Sequence, residues 1–263
     1  MKKIKVGPND IAFKEMGEGE AIVFLHGFCG SVTYWDKVAP VLSSDYHVIL
    51  IDLRGHGNSK ASDAPFTIDD MAKDIKEVLE SLQIGQFYLF GHSLGGYITL
   101  SFVEHYPEKL KGYGLIHSTA FPDSEEAKEG RINSAKSIEK NGIQPFIDGL
   151  IPKLFSDDSL LNLKEEVEST RKVGYSTDSK AAQQTLLAMK ARPDRTTVLE
   201  NKSIPVLLVA GDQDKIISVD KAFSVEENHV VTKIIAESGH MSMLEKPDSL
   251  IKAIREFLHI EKN

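Results

Sequence analysis

Residues 87–96 read Phe87-Tyr88-Leu89-Phe90-Gly91-His92-Ser93-Leu94-Gly95-Gly96. An apolar, aromatic-rich run with the pattern of a buried strand ends at Phe90. A helical period starts at once behind it, with Tyr97, Ile98, Leu100, Phe102 and Val103 as its apolar positions. A serine therefore stands in a tight strand-to-helix turn, with Gly91 two positions before it and Gly95 two after. Such a turn forces its central residue into a strained conformation, and the flanking glycines let the backbones pass closely. The strain holds the hydroxyl clear of the sheet and turns the next backbone N–H toward the place where an oxyanion would form. The stretch reads as a nucleophile elbow. The pentapeptide alone arises by chance in about one chain in ten of this length, given average Gly and Ser usage. The rest of the chain must therefore supply a base and an acid in the right order.

Working outward, short runs apolar on both faces recur at 21–25, 48–51, 87–90, 113–116 and 206–210. That is the pattern of parallel strands covered on both sides. Further strand candidates are 3–6 and 11–16, parted by the turn-forming Gly7-Pro8-Asn9-Asp10, and 232–235. Helical periods lie between them. Thr67-Ile68-Asp69-Asp70 is a capping-box-like start for the stripe Ile68, Met71, Ile75, Val78, Leu79 and Leu82, and Leu250, Ile251, Ile254, Phe257 and Leu258 form another. The alternation predicts an α/β fold with a mostly parallel, twisted, eight-stranded sheet and helices on both faces. Its active site belongs beyond the carboxyl ends of the strands. From Phe121 to Thr197 strand-like runs cease and helical ones continue, the strongest carrying Ile143, Phe146, Ile147, Leu150, Ile151, Leu154 and Phe155. The expected organisation is a core of residues 1–120 and 198–263, with a helical lid of residues 121–197 inserted before the penultimate strand.

A serine hydroxyl needs a base within hydrogen-bond reach, and the base needs a carboxylate to fix its tautomer. In this topology the partners follow in the order serine, acid, histidine, each in a loop at a strand's carboxyl end. The acid is expected in Gly211-Asp212-Gln213-Asp214, directly after the run 206–210, with Asp212 or Asp214 as the candidate. The base is expected at His240 in Glu237-Ser238-Gly239-His240, after the strand candidate 232–235. His26, His56 and His92 also fall near the carboxyl edge but precede the acid. His47, His105, His117, His229 and His259 read as structural or solvated. The Gly-rich loop His26-Gly27-Phe28-Cys29-Gly30 is placed to supply a second oxyanion donor, so the Phe28 and Leu94 N–H groups form the expected pair. Cys29 reads as a small neutral wall residue. The turn-rich stretch Asp52-Leu53-Arg54-Gly55-His56-Gly57-Asn58-Ser59 reads as scaffold for the loops of the site.

The chain has 263 residues, 41% hydrophobic and 27% charged, within the ordinary range for a globular protein. A formal net charge of −8 disfavours nucleic acid and anionic membranes, both of which select a basic footprint. The single cysteine leaves no disulfide framework and no Cys-rich zinc site. The lysine-bearing N-terminus lacks the apolar core of a signal peptide, and no apolar run approaches a membrane span. The expectation is a cytoplasmic enzyme without metal or organic cofactor, its oligomeric state open. Neither a phosphate-binding Gly-rich loop with Lys-Ser/Thr nor a His-Glu-x-x-His zinc motif is present.

Taken together, His26-Gly27-Phe28, the Asp52-x-Arg54-Gly55-x-Gly57-x-Ser59 loop, Gly91-His92-Ser93-Leu94-Gly95-Gly96, Gly211-x-x-Asp214 and Gly239-His240 resemble the α/β-hydrolase family along nearly the whole chain. In relatives with a Gly-x-x-Asp-x-x-(Val/Ile)-Pro pattern the aspartate is the acid. The resemblance thus selects Asp214, although Ser218 stands where proline is usual. Epoxide hydrolases and haloalkane dehalogenases of the family carry aspartate at the elbow, so Ser93 implies instead a carboxylesterase, an enol-lactonase, a cofactor-free haloperoxidase-like esterase or a C–C hydrolase.

The reaction expected is hydrolysis of an ester or lactone of a small, largely apolar substrate through an acyl-enzyme on Ser93. Phe28, Phe121, Phe155, Met189, Met241 and Met243 are the candidate pocket residues. The alternative is C–C bond hydrolysis, or a related lyase reaction, on a carboxylate-bearing skeleton recognised by Arg131, Arg171, Arg192 or Arg195. A small-molecule receptor on the same fold is the reading from another class.

Overall fold

The computed structural model describes residues 1–200 and 204–260; positions 201–203 and 261–263 of the expected core segment lie outside the described residues. One eight-stranded sheet runs β1 (Lys2–Val6), β2 (Asn9–Met16), β4 (His47–Ile51), β3 (Ala21–Leu25), β5 (Phe87–His92), β6 (Leu110–Ile116), β7 (Val206–Gly211) and β8 (Val230–Ile235). Only β2 runs against the others, pairing antiparallel with both β1 and β4. Every residue of β3, β5 and β7 is buried, as the apolar runs require of central strands covered on both faces. The edge strand β1 is largely exposed and β8 partly so, and both carry lysines, which discourage edge-to-edge pairing.

β6 begins three residues before the run 113–116, because exposed Lys111 and a glycine interrupt the apolar pattern without interrupting the strand. The helix Ile68–Ser81 starts on a complete capping box. Asp70 N–H donates to Thr67 Oγ1 at 3.1 Å, and Thr67 N–H donates to Asp70 Oδ2 at 2.8 Å. Such a cap stabilises a helix by about 1 kcal/mol. An aromatic seam of Trp35, Phe24, Phe90 and Phe257 ties the sheet to its covering layers, with Phe24 4.7 Å from Trp35 and 5.3 Å from Phe90 between ring centroids.

The connection from β3 goes outward to β4, whereas β5 lies on the other side of β3. Strand order therefore reverses between β3 and β5, and a crevice opens beyond their carboxyl ends. Between β6 and β7 the described residues form helices and no strand, among them Glu125–Asn141, Gln144–Leu154, Asp157–Asn162, Lys164–Tyr175 and Ser179–Ala191. Three of them start on side-chain caps from Ser124, Ser156 and Asp178. Ile147, Ile151, Leu154, Leu186 and Met189 turn their side chains inward and are buried. No described helix is long and apolar enough to cross a membrane.

Candidate active site

Ser93 sits between the end of β5 and the helix Leu94–His105 with φ 49° and ψ −110°. That is strained backbone for a residue with a Cβ, costing about 1–3 kcal/mol unless its surroundings over-determine it. They do so here. Ser93 N–H donates to Ile116 O at 3.0 Å, and Ser93 O accepts from Ser118 Oγ at 2.8 Å and from Gly96 N–H at 2.9 Å. A Cβ on Gly91 would drive into the Gly95 carbonyl, and one on Gly95 would lie 2.6 Å from Leu25 O. Glycine is therefore what allows β5, the helix and β3 to approach closely enough to form the turn.

The loop after β7 carries both acid candidates in different roles. Asp212 Oδ1 accepts from Ser238 N–H at 3.3 Å. Asp214 Oδ2 accepts from His240 Nδ1–H at 2.7 Å, while its Oδ1 accepts from Ile216 and Ile217 N–H at 2.8 and 3.0 Å. Those two backbone bonds hold the loop where Ser218 replaces the family's proline, and Ser218 itself becomes the cap of the short helix Val219–Ala222.

Asp214 has a second imidazole partner. His117, immediately after β6, donates Nδ1–H to the same Oδ2 at 3.1 Å, and its Nε2 accepts from Ser242 Oγ at 2.7 Å. The sequence pattern placed His117 among structural or solvated histidines, whereas it is fully buried against the acid at φ 50°. Its signal was its position directly beyond a strand's carboxyl end. Burial alone would raise the Asp214 carboxyl, but the two imidazoles outweigh it and hold the group well below the usual carboxylate range. Burial pushes His117 down despite the carboxylate beside it. The donor atoms of His117, Asp214 and His240 lie within 4.8 Å of one another, a spacing that a metal ion also accepts. As bonded, both Nδ1 atoms face the carboxylate and His117 Nε2 faces Ser242, which leaves His240 Nε2 as the imidazole nitrogen free to accept a proton.

His240 is held through its backbone: its N–H donates to Leu154 O at 2.8 Å, and its carbonyl accepts from His92 Nε2–H at 2.9 Å. Glu245, on the next turn, accepts from Ser156 N–H at 2.8 Å and from Met241 N–H at 3.1 Å. The helical insertion and the His240 loop are thereby bonded to each other twice. His92 is pushed well below the ordinary imidazole value, first by burial and then by His240 and His117 nearby.

Ser93 and His240 wall one cavity of about 100 Å³ with Phe28, Tyr34, His92, Tyr97, Arg131, Leu150, Leu154, Met189, Ile216 and Met241. Of the expected pocket residues, Phe28, Met189 and Met241 line it. Phe121 is 37% exposed and away from it, whereas Phe155 and Met243 are fully buried in the core. Helical periodicity alone does not separate a face turned to core from one turned to a cavity. The 26–30 loop lies against the elbow, since a Cβ on Gly27 would stand 3.4 Å from Ser93 Cβ.

His26 bridges the loops after β3 and β4, donating Nδ1–H to Gly27 O at 2.8 Å and accepting Leu53 N–H at 3.0 Å. Asp52 accepts from Val32 N–H at 2.7 Å and Asn58 N–H at 2.8 Å, a scaffold role. Burial pushes the Cys29 thiol far up, so it does not supply a thiolate. Among the arginines, Arg131 lines the cavity. Arg192 is buried behind it, stacked 3.9 Å above the Tyr97 ring. Arg171 pairs with Asp148 and Glu168, and Arg195 with Asp69 and Glu104, none of them lining residues.

A family model described as alpha/beta hydrolase fold matches residues 20–247. A thermophilic esterase from Thermogutta terrifontis, solved with malate bound, superposes with a TM-score of 0.95 at 29% identity, covering 100% of both chains. The chain is also 27% identical to 3-oxoadipate enol-lactonase 2 of Acinetobacter baylyi over 89% of its own length and 86% of the relative's. It is 22% identical to 2-(acetamidomethylene)succinate hydrolase of Mesorhizobium japonicum over 98% and 94%.

Proposed function

We propose that this chain, which belongs to the α/β-hydrolase fold family, is a serine hydrolase of carboxylic esters or lactones. The observation that carries the reading is the convergence of the strained Ser93 with an Asp214-bonded His240 on one small cavity. His240, its Nδ1 proton held by Asp214, accepts the Ser93 proton at Nε2 as the hydroxyl attacks the carbonyl. The Phe28 and Leu94 N–H groups receive the oxyanion, each such donor being worth about 3 kcal/mol in the transition state. His240 then returns the proton to the leaving alcohol, and water repeats the sequence on the acyl-serine. Residues 121–197 act as the cap that closes over the acyl group, Leu150, Leu154 and Met189 contributing its apolar walls.

The resemblance to an esterase and an enol-lactonase supports the bond type. Ser93→Ala is expected to abolish turnover of a short-chain p-nitrophenyl ester in a protein whose circular dichroism is unchanged; retained turnover rules the reading out. Fluorophosphonate labelling of Ser93 together with many turnovers separates an enzyme from a receptor. Arg131 in the cavity favours one second reading, cleavage of a C–C bond in a carboxylate-bearing skeleton by the same serine. Faster turnover of vinylogous diketones than of simple esters would select it.

A further inference from the structure

The cavity at Ser93 is apolar or aromatic on most sides, and among its lining residues Arg131 alone carries a permanent charge. Its guanidinium is aimed by Asp123, which does not line the cavity: Nε donates to Oδ2, and Nη2 to Oδ1 at 3.2 Å. The remaining nitrogen, Nη1, meets Met189 Sδ at 3.4 Å, and the guanidinium also hydrogen-bonds the Tyr97 hydroxyl. A thioether is a weak acceptor and a phenol is neutral, so the wall formed by Met189 and Tyr97 gives the guanidinium no anionic partner. The Tyr97 hydroxyl stands beside Arg131.

The charge count points the same way. Asp123 also pairs with Arg192, at 2.8 Å between Oδ1 and Nη1. Among the described residues no other carboxylate bonds to either arginine, so one carboxylate serves two guanidiniums and leaves one positive charge in a largely desolvated place. Arg192 is 7% exposed and its Nε has no partner. A buried unit charge is costly without a counterion, and no acidic side chain lines the cavity to provide one.

We propose that Arg131 Nη1 and the Tyr97 hydroxyl form a carboxylate-binding subsite, so that the substrate is an ester or lactone bearing a carboxylate a short chain away from the scissile carbonyl. The proposal rests on Ser93 hydrolysing that carbonyl. A carboxylate matches the single uncompensated charge, whereas a phosphate dianion would overshoot it. The preference would also run against the net charge of −8 on the whole chain, which makes it diagnostic of a local site.

The test compares isosteres that differ only in charge, followed by pH-stat. Methyl hydrogen glutarate against methyl glutaramate puts the charge on the acyl half; 2-acetoxyacetate against 2-acetoxyacetamide puts it on the alcohol half. In the unmodified protein the acid is expected to exceed the amide in kcat/KM by about tenfold in at least one pair, the size of one charge-assisted hydrogen bond. In Arg131→Gln that ratio is expected to collapse toward one. No acid preference in either pair, or a preference that survives Arg131→Gln, overturns the proposal. If Arg131→Gln does not fold, Tyr97→Phe decides, with a several-fold fall in the ratio expected and an unchanged ratio overturning it. Hydrolysis of both members that persists in Ser93→Ala removes the hydrolytic reading instead, whatever the ratio.

Discussion

His117 and His240 donate their Nδ1 protons to the same carboxylate oxygen, Asp214 Oδ2, at 3.1 and 2.7 Å. Asp214 therefore divides its acceptor strength between His240 and a histidine that does not line the cavity. Removing the His117 donor leaves Asp214 a stronger acceptor for His240 alone, which favours the protonated imidazole. The acid limb of the kcat/KM profile of His117→Ala is expected to move to higher pH by about half a unit to one unit, matching the loss of one hydrogen bond. His117→Gln, which restores an N–H, should bring the limb partly back. A purely structural role would lower the melting temperature and leave the limb in place.

Asp214→Asn tests the acid itself. The asparagine oxygen can keep the Ile216 and Ile217 N–H bonds, but its amide nitrogen then faces two imidazole N–H groups and the His240 tautomer reverses. Activity is expected to fall by about 10⁴-fold with the fold intact. A loss of only a few-fold would show that Asp214 is not the orienting carboxylate.

The elbow predicts a contrast between two glycines. Gly91→Ala pushes a methyl into the Gly95 carbonyl, a backbone atom unable to yield. A loss of about 3 kcal/mol or more in urea unfolding is expected. Gly149, inside the helix Gln144–Leu154, has nothing within 4 Å of an added Cβ. Gly149→Ala should gain about 0.5–1 kcal/mol from helix propensity. Equal effects at the two positions would contradict the close approach at the elbow.

Stability should also fall with acidity above the range where carboxylates titrate. Burial pushes His26 and His56 down to about 4 from an ordinary value of 6.5. Both are neutral in the folded chain at pH 5 while the unfolded chain takes up the protons, so unfolding free energy rises with pH there. The contribution is complete above pH 6.5, is lost as pH falls through 4, and is about 3 kcal/mol for each group. Urea midpoints that stay flat between pH 7 and pH 4.5 would contradict it.

Much of this is legible in the amino-acid sequence alone. The elbow is a local event, in which five consecutive residues carry strand end, strain and helix start, so Ser93 stands out in the chain itself. His240 is legible as a residue just beyond a strand-like run, whereas position leaves Asp212 and Asp214 both open and only the family resemblance selects Asp214. His117 has the same placement, yet its meaning depends on a bond across 97 residues, and nothing near it in sequence announces the partner. Phe121, Phe155 and Met243 fail as pocket residues for a related reason. An apolar side chain satisfies a core and a cavity equally well, and only the packing of the helices decides which it meets. Arg131 was one of four arginines of equal standing until Asp123 was seen to turn it toward the cavity.

The two bonds between insertion and base loop, Leu154 O to His240 and Ser156 to Glu245, constrain how such a protein can diversify. Under the proposed mechanism, exchanging the whole insertion would also cut the backbone supports of His240. Residues 154–156 and 238–245 therefore form one bonded unit that joins the helices between β6 and β7 to the loop after β8. A chimera spliced outside both segments is expected to keep the support of His240, whereas one spliced between them loses it.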